Sequence, residues 1–375
     1  MAIGFAQWGN DLYTGRRSYN IVGRRKRYFL AAIIAVVLSL GVIGVRVAGD
    51  GLNLGIEFRG GSEFTVSSVS DTDQQPAIDA VAAVAPEEVP RVTTVGGSTV
   101  RVQTAELTQD QVQDVASGLA DAYGVAVSEV TSAFIGPTWG QDVSQKALVG
   151  LVVFLLLVSL VMTVYFRNWR MAAAAVIALF HDLVLTIGIY ALIGWEITPA
   201  TVIGVLTILA YSIYDTVVVF DKVRENTAGV LDQTRSTYAE RANLAVNQTM
   251  VRSINTSVVA LLPVAGILFI GAFLLGAGTL RDIALALFVG MAVGAYSSIF
   301  LATPLEVAFR EREQPIRDHT AKILEQREST LAELGEAGSD DAALAAAGVA
   351  AGHRQLQPGG HQGNAAQPRR RRPNR

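Results

Sequence analysis

The sequence predicts an α-helical polytopic membrane protein that carries one α+β domain outside the membrane. Of its 375 residues, 51% are hydrophobic, and the mean hydropathy is positive at +0.37, which is too apolar for a soluble protein of this length. Six apolar stretches are long enough to cross about 30 Å of hydrocarbon. A polar segment, 48–142, separates the first stretch from the second, and its pattern is that of a small α+β fold.

The predicted spans follow a basic N-terminal segment and cover residues 28–45, 147–166, 171–195, 201–220, 256–275 and 283–304. The first is not a cleaved signal peptide, because it is long and no Ala-x-Ala-like site follows it. The predicted order is a cytoplasmic segment (1–27), the first transmembrane helix (28–47), the extracytoplasmic domain (48–142), transmembrane helices two to six (143–305) and a cytoplasmic, largely disordered tail (306–375).

The distribution of Lys and Arg predicts the orientation, because basic residues in short flanking segments favour the cytoplasmic side. The side opposite the termini has only Arg281 in its two short loops. The side that holds both termini is rich in basic residues, namely Arg16, Arg17, Arg24, Arg25, Lys26, Arg27, Arg167, Arg170, Lys222, Arg224, Arg235, Arg241, Arg252, Arg310, Arg312 and Arg317. The sequence therefore predicts a multi-pass protein of the cell membrane with both termini in the cytoplasm.

The polar segment is predicted to fold in the order β-α-β-β-α-β, the ferredoxin-like pattern. Helices are expected at 73–84 and from the N-cap Thr108 to residue 123. Strands are expected at 61–69, 91–95, 99–103 and 125–134. The segment contains no cluster of catalytic residues, so we expect it to act on a partner.

Asp215 is the most informative residue of the apolar spans. It lies in the stretch 203–220, which otherwise carries no charge, and a charge near the bilayer centre costs about 2.5–3.5 kcal/mol. Tyr211 and Ser212 precede it by one helical turn, so the three share a face that must point into the bundle or into a wet cavity. A buried carboxylate close to a cation can load and release protons in a usable pH range.

Arg252 is the candidate cation. It opens span five from the cytoplasmic side, and Asp215 is expected to lie nearer that side than the midplane. Two other interpretations stay open: Arg252 is only a basic flanking residue, or the two residues form a static ion pair. His181 and Asp182 fall near the middle of span three and form either a proton relay or an interhelical hydrogen bond.

Small residues predict close helix packing in span six. Gly290, Gly294 and Ser298 recur at every fourth residue, a spacing that lets two helix backbones approach each other. Ser297 lies beside the last of them. Serine at such positions most simply contributes packing contacts.

Several strings carry a family resemblance. They are LGIEFRGGSEF before the outside domain, FIGPTWGQDVSQKAL before span two, FRNWRMAAAAVIALFHDLVLTIGIYAL across span three, EITPATVIGVLTILAYSIYDTVVVFDKVREN across span four, VNQTMVRSINTSVVALLPV at span five and GAYSSIFLATPL at the end of span six. In these strings the chain resembles, over residues 20–310, the SecF subunits of the bacterial SecD–SecF protein-export complex. The span-four string in register with the others is the most specific.

The resemblance implies half of an RND-type transporter, with SecD supplying the matching half as a separate chain. It implies an accessory role in the Sec translocase, in which inward proton flow moves the outside domain and so helps pull secreted chains across the bacterial cytoplasmic membrane. The implied partners are SecD, the SecY–SecE–SecG channel, the translocating unfolded polypeptide and membrane lipids. No nucleic acid and no cofactor besides the proton is expected.

The family also assigns roles to two residues. The Asp of its span-four motif and the Arg that opens span five are regarded as proton-path residues, and they fall on Asp215 and Arg252. We add four further candidates for the proton path: His181, Asp182, Tyr211 and Ser212.

Three positions depart from the family pattern. Glu57 and Arg59 stand where the family commonly has Asp and Thr, and Tyr214 stands where it commonly has Asn. We expect Tyr214 to alter the hydrogen bonding around Asp215.

No sequence motif for bond chemistry is present. The chain lacks a GxxxxGK[ST] loop, an HExxH motif and a nucleophile–base pair. It has no cysteine, and its four histidines do not have metal-ligand spacing. We therefore do not expect an enzyme. Two alternatives remain: an RND-type exporter of lipids or small molecules, which would usually carry two six-span halves on one chain, and a scaffold in which Asp215 and Arg252 form a fixed pair.

Overall fold

The computed structural model describes residues 4–49, 51–95, 98–274 and 278–336. Within these residues, six helices are long and apolar enough to cross a membrane, as predicted. Of the predicted, largely disordered tail (306–375), residues 306–336 are described and are mostly helical, and the part from 337 onward lies outside the described residues.

The helices, in chain order, are α1 (Phe5–Tyr13), α2 (Arg25–Ala48), α3 (Ile56–Arg59), α4 (Gln75–Val84), α5 (Gln109–Tyr123), α6 (Pro137–Phe166), α7 (Trp169–Ile193), α8 (Pro199–Thr227), α9 (Tyr238–Gly266), α10 (Gly278–Ser297), α11 (Thr303–Arg310) and α12 (Gln314–Glu336). The strands are β1 (Gly61–Val66), β2 (Arg91–Val95), β3 (Thr99–Thr104) and β4 (Val130–Ile135). A π-helical segment, Ile267–Leu274, continues α9, and a second, Ser298–Ala302, joins α10 to α11.

Four of the membrane helices, α2, α6, α8 and α9, are longer than the apolar stretches that predict them. The apolar stretch of span five begins at residue 256, whereas α9 begins at Tyr238. Its start is fixed by a capping box, in which Thr237 accepts from the backbone N–H of Glu240 and Glu240 accepts from that of Thr237. Likewise α8 begins at a capping box formed by Thr198 and Thr201 and continues past Phe220 through polar residues. Hydropathy detects only the apolar part of such helices.

The α+β domain (61–135) has the predicted topology. Its four-stranded sheet has the order β2-β3-β1-β4 with every neighbouring pair antiparallel, which confirms the ferredoxin-like arrangement. Helices α4 and α5 contribute to a core with β1 and β3 that includes Phe64, Val102, Val81 and Leu119. Thr108 caps α5 as predicted, in a capping box with Gln111. Strand β4 begins five residues later than predicted, because residues 127–129 form a 3₁₀ turn.

Helices α8 and α10 pack closely, as the small-residue spacing predicts. A Cβ on Gly290 would overlap Ile208, and a Cβ on Gly294 would lie 3.1 Å from the Ser212 side chain. On the α8 side of the same contact, a Cβ on Gly204 would lie 2.8 Å from Ala286 of α10. Both backbones therefore depend on residues without side chains at this contact.

One end of the helix bundle carries the α+β domain. Leu54 pairs with Ile197 in a parallel bridge, and the backbone N–H of Gly55 donates to the Ile197 carbonyl at 2.9 Å. Ile197 lies in the connection between α7 and α8, so this connection joins the domain to the bundle.

The opposite end of the bundle holds the N-terminal segment. The side chain of Asn247 in α9 accepts from the N–H of Tyr19 at 2.7 Å, and that of Asn243 accepts from Ile21 and Val22 at 2.9 and 3.0 Å. At the same end, Arg25 of α2 pairs with Glu311, which follows α11.

Candidate functional site

Asp215 is bound by hydroxyl groups from two other helices. Its side chain, on α8, is 6% exposed. Oδ1 accepts a hydrogen bond from Ser253 of α9 at 2.7 Å, and Oδ2 accepts one from Ser298 at 2.5 Å. Hydrogen bonds to a charged acceptor are stronger than those between neutral groups, so the two serines offset part of the cost of burying this carboxylate.

Asp182 of α7 has the same kind of environment and is fully buried. Its Oδ2 accepts from Ser212 of α8 and from Ser297 of α10, both at 2.7 Å. Its Oδ1 lies 3.1 Å from Nδ1 of His181, the preceding residue of the same helix. Of the pair His181 and Asp182, only Asp182 accepts hydrogen bonds from other helices among the described residues. The contact between His181 and Asp182 lies within α7.

The two carboxylates belong to one polar layer, which we call the carboxylate layer. It comprises Asp182, Ser212, Asp215, Ser253, Ser297 and Ser298. Four of them lie near the middle of α7, α8 or α9, and the two serines Ser297 and Ser298 lie near the middle of the continuous span Asp282–Arg310, so the layer crosses the centre of the bundle. It links α7, α8, α9 and the junction between α10 and α11 through polar contacts in an otherwise apolar interior.

The structure does not place Arg252 beside Asp215. Arg252 is exposed, and it forms no ion pair with any residue that the structure describes. Ser253, the next residue of α9, points toward Asp215, and consecutive helical residues are turned by about 100° from each other. The proposed cation partner is thus replaced by two hydroxyls. Moreover, α8 extends to Thr227, so Asp215 lies near the middle of the helix and not toward one end.

The other predicted residues divide into two groups. Tyr211 is partly buried on the Asp215 face, and its hydroxyl has no hydrogen-bond partner among the described residues. His181 is buried and its Nε2 is likewise without a described partner. Tyr214, in contrast, is 55% exposed. It points away from Asp215 and forms none of its hydrogen bonds, so the expectation that it alters them is wrong.

Ser253, Ser297 and Ser298 are the functional candidates that sequence reasoning underestimated. No sequence pattern marks Ser253, and the spacing of the small residues in span six predicts packing contacts for Ser297 and Ser298. All three are fully buried and donate to a carboxylate. A useful signal is available in the sequence, because each buried carboxylate needs donors at the same depth, and serines at the same depth on neighbouring spans supply them.

A second charged cluster joins the α+β domain to the bundle. Nη1 of Arg101, on β3, binds Oε2 of Glu196 at 2.8 Å, and its Nε lies 3.6 Å from Oε1 of Glu63 on β1. Gln103 donates to Glu63 at 2.8 Å and also to Glu196. Burial raises the pKa of the nearby Glu57 carboxyl above its ordinary value, and the charges of Glu196 and Glu63 act in the same direction.

Among the residues described, no group of three His, Asp or Glu side chains is arranged to hold a metal ion. The arrangement of the carboxylate layer is instead suited to proton exchange. Each carboxylate can take up a proton, and each serine hydroxyl can both donate and accept. Ion and proton paths are the usual function of ionisable groups at membrane depth.

Comparison with known proteins gives the family. Residues 115–312 match the model of the family described as protein export membrane protein SecD/SecF, C-terminal, and residues 47–71 match the SecD/SecF GG motif. The protein translocase subunit SecF of Streptomyces coelicolor is 44% identical over 338 residues, which cover 89% of each chain. The subunit of the same name from Mycobacterium tuberculosis H37Rv is 41% identical over 353 residues, covering 91% of this chain and 77% of that one.

A solved structure shows the same fold. The crystal structure of SecDF from Thermus thermophilus, described as a translocon-associated membrane protein, superposes with a TM-score of 0.69 at 30% identity. The match covers 80% of this chain and 39% of the SecDF chain, so the chain corresponds to one part of that longer protein. Together with the family model and the SecF relatives, this shows that the chain belongs to the SecD/SecF family of protein export membrane proteins.

Proposed function

We propose that the chain is an accessory subunit of the Sec protein translocase that acts with SecD. In this proposal the two subunits use the proton motive force to promote late steps of protein export across the bacterial cytoplasmic membrane. The main support is Asp215, a carboxylate that is buried in the middle of a six-span bundle and that, among the described residues, accepts hydrogen bonds from serine hydroxyls. A carboxylate without a described cation partner can change its protonation state without breaking an ion pair.

Protonation of Asp215 changes the contacts between helices. The ionised carboxylate accepts from Ser253 of α9 and from Ser298 at the α10–α11 junction. A protonated oxygen becomes a donor, so the hydroxyl that faces it must rotate or move away. Each protonation event therefore weakens or re-forms a contact between α8 and one of its neighbours.

The connection between α7 and α8 carries this change to the α+β domain. Asp182 lies on α7 and Asp215 on α8, and Glu196 in the loop between these helices binds Arg101 of the domain. A shift of either helix thus pulls directly on the sheet. Proton movement through 100 mV releases about 2.3 kcal/mol per charge, so a few protons per cycle supply enough free energy for a domain movement.

The remaining parts of the proposal concern orientation and partners. The end with Arg25 and Arg170 is cytoplasmic, since basic flanks favour that side, and the α+β domain is outside. SecD is the partner because the Thermus thermophilus relative is named SecDF and extends well beyond the matched part. The SecY–SecE–SecG channel, the unfolded polypeptide and membrane lipids complete the assembly, and the proton is the only coupling ion.

Arg252 remains a candidate proton-path residue in this proposal. It is exposed on the surface of the isolated chain, so its side chain is accessible to a residue of SecD. Its contribution would then require the partner. His181, beside Asp182, and Tyr211, one helical turn from Asp215, are the candidates that extend the path from the carboxylate layer.

Export into inverted membrane vesicles that contain this chain and its SecD tests the proposal. Asp215→Asn keeps the shape and hydrogen-bonding capacity of the side chain but cannot ionise, so the stimulation of export by an imposed proton gradient should be lost. Asp221→Asn, on the same helix but exposed, serves as the matched control and should retain it. Full stimulation with Asp215→Asn would favour a scaffold, whereas purification without SecD and the channel would favour an independent exporter.

A further inference from the structure

Glu306, near the bundle end that carries the N-terminal segment, is a buried carboxyl outside the carboxylate layer. It is 0% exposed on α11. Its Oε1 accepts a hydrogen bond from the Tyr238 hydroxyl of α9 at 2.6 Å. Tyr238 and Val307 both belong to an apolar cluster with Met171 and Ala172 of α7, so the carboxyl lies in apolar surroundings.

Three buried polar atoms on α11 make no hydrogen bond with any described residue. They are Oγ1 of Thr303, Oε2 of Glu306 and Nε of Arg310. Positions three and four apart on a helix lie on one face, so these three atoms line the same side of α11. Buried polar groups are normally satisfied by protein or by ordered water. A face with a donor, an acceptor and a hydroxyl is therefore suited to bind water next to a carboxyl group.

The arginines around Glu306 lie closer to other carboxylates than to Glu306 itself. Nε of Arg310 lies 3.9 Å from its Oε1, but Arg310 also binds Glu313 at 2.5 Å. Glu313 is shared with Arg170 of α7 at 2.9 Å, and Glu311 pairs with Arg25 of α2. The three arginines at this end are thus shared among Glu306, Glu311 and Glu313. The contact of Glu306 with Arg310 is the longest of these ion pairs.

Glu306 is connected to the carboxylate layer through one continuous helical stretch. Ser298, which binds Asp215, and Glu306 are eight positions apart along the π segment and α11, which is about 12 Å at 1.5 Å per residue. Thr303 lies between them. The spacing is too large for direct proton transfer but is short enough for water and Thr303 to bridge.

We propose that Glu306 is a second proton-exchanging carboxyl, hydrated on the face it shares with Thr303 and Arg310, that passes protons between the carboxylate layer and the cytoplasmic end of the bundle. This rests on the proposed function, since it extends the path that begins at Asp215. A purely structural Glu306 would instead remain in one protonation state, as an acceptor for Tyr238. The two roles differ in whether the carboxyl titrates.

Infrared difference spectroscopy of the intact complex with SecD, reconstituted in lipid, tests the titration directly. Spectra recorded between acidic and alkaline buffers should contain a C=O band of a protonated carboxylic acid that disappears in Glu306→Gln and shifts in Glu306→Asp. Thr303→Val keeps the carboxyl but removes the neighbouring hydroxyl, so it should alter the pH at which the band appears. If Glu306→Gln fails to fold, the shift of this band in Thr303→Val tests the proposal in its place.

Export driven by a proton gradient completes the test. Glu306→Gln should lose most of the gradient stimulation, and Glu306→Asp should retain it with a displaced pH profile, which a structural role would not produce. Glu325→Gln, an exposed carboxyl on α12, is the matched control. If no band depends on Glu306, or if Glu306→Gln is stimulated fully while Asp215→Asn is not, the second carboxyl is excluded and the proposed function stands. If both variants are fully stimulated, the proposed function itself fails.

Discussion

Ser297 and Ser298 are consecutive residues whose hydroxyls bind two different carboxylates. Ser297 donates to Asp182 at 2.7 Å, and Ser298 donates to Asp215 at 2.5 Å. Neighbouring residues of a helix point about 100° apart, and the change from α-helix to π-helix occurs between these two. One turn of this helix therefore contacts both α7 and α8, and protonation of either carboxylate acts on the same turn. Single π turns are frequent at functional sites.

Replacing either serine by alanine tests this arrangement. Ser298→Ala leaves one oxygen of Asp215 without its donor, and loss of a hydrogen bond to a buried charged group costs about 1–3 kcal/mol. We expect a lower thermal unfolding midpoint for both Ser297→Ala and Ser298→Ala, measured in detergent. Only Ser298→Ala should also change the pH dependence of export strongly, because Asp182 keeps Ser212 and His181. Equal effects on export would argue against a leading role for Asp215.

Substitution of Arg252 separates a role in the assembled complex from a role in folding. Because Arg252 is exposed and forms no ion pair with a described residue, Arg252→Gln should leave the unfolding midpoint of the isolated chain unchanged. If Arg252 acts in the proton path once SecD is bound, the same variant should lower gradient-driven export. A large loss of stability in the isolated chain would instead indicate an ion pair with Asp215.

The contact between Arg101 and Glu196 predicts a charge-reversal rescue. Arg101→Glu places a like charge beside Glu196 and Glu63, so it should weaken the attachment of the α+β domain and lower export. Combining it with Glu196→Arg restores one opposite-charge pair and should recover part of the activity. The chain has no cysteine, so a cysteine pair at Gln103 and Glu196 can be cross-linked without background. If the contact between the α+β domain and the α7–α8 connection must move, a reversible cross-link should stop export until it is reduced. Export at the natural rate with the cross-link in place would show that this contact does not move.

Glu57 predicts a pH dependence of stability. Burial raises the pKa of its carboxyl in the folded chain, so the folded state holds this proton more tightly than the unfolded state. The stability contributed by Glu57 is therefore present below the ordinary carboxyl pKa and is lost as the pH rises through the raised pKa. Between the ordinary carboxyl pKa and the raised pKa of Glu57, the thermal unfolding midpoint should fall more with rising pH in the natural chain than in Glu57→Gln. Parallel pH profiles of the two would show that Glu57 is not the responsible group.

Much of the fold could be predicted because its signals are local. Runs of apolar residues identified all six spans, and alternation with turn residues identified the strands of the α+β domain. The capping residue Thr108 marked the start of α5 correctly. The polar turns of α8 and α9 were missed, because capping boxes and tertiary contacts fix them while hydropathy does not. Helix α1 has no such local signal, because its contacts with α9, such as the hydrogen bond from Gln248 to the Tyr13 carbonyl, join residues more than 200 positions apart in the sequence.

The site was predicted only in part. Asp215 and Asp182 stand out because a charge in an apolar span is rare. Helical spacing predicts Ser212 on the face of Asp215, whereas in the structure its hydroxyl binds Asp182. The partners of Asp215 depend on the relative rotation of α8, α9 and α10. Gly290 and Gly294 bring α10 close to α8, but their spacing does not specify which faces of α8 and α9 meet. As a result, the sequence predicts a cation where the structure has Ser253 and Ser298.

Proton uptake by vesicles is the most direct test of the central claim, that Asp215 carries the coupled proton. Proteoliposomes containing this chain, its SecD and the channel should take up protons when a translocating chain is engaged and an inward gradient is imposed. Vesicles with Asp215→Asn should show no uptake above the protein-free background, while Asp221→Asn should behave as the natural chain. Uptake at the natural rate with Asp215→Asn would contradict the account.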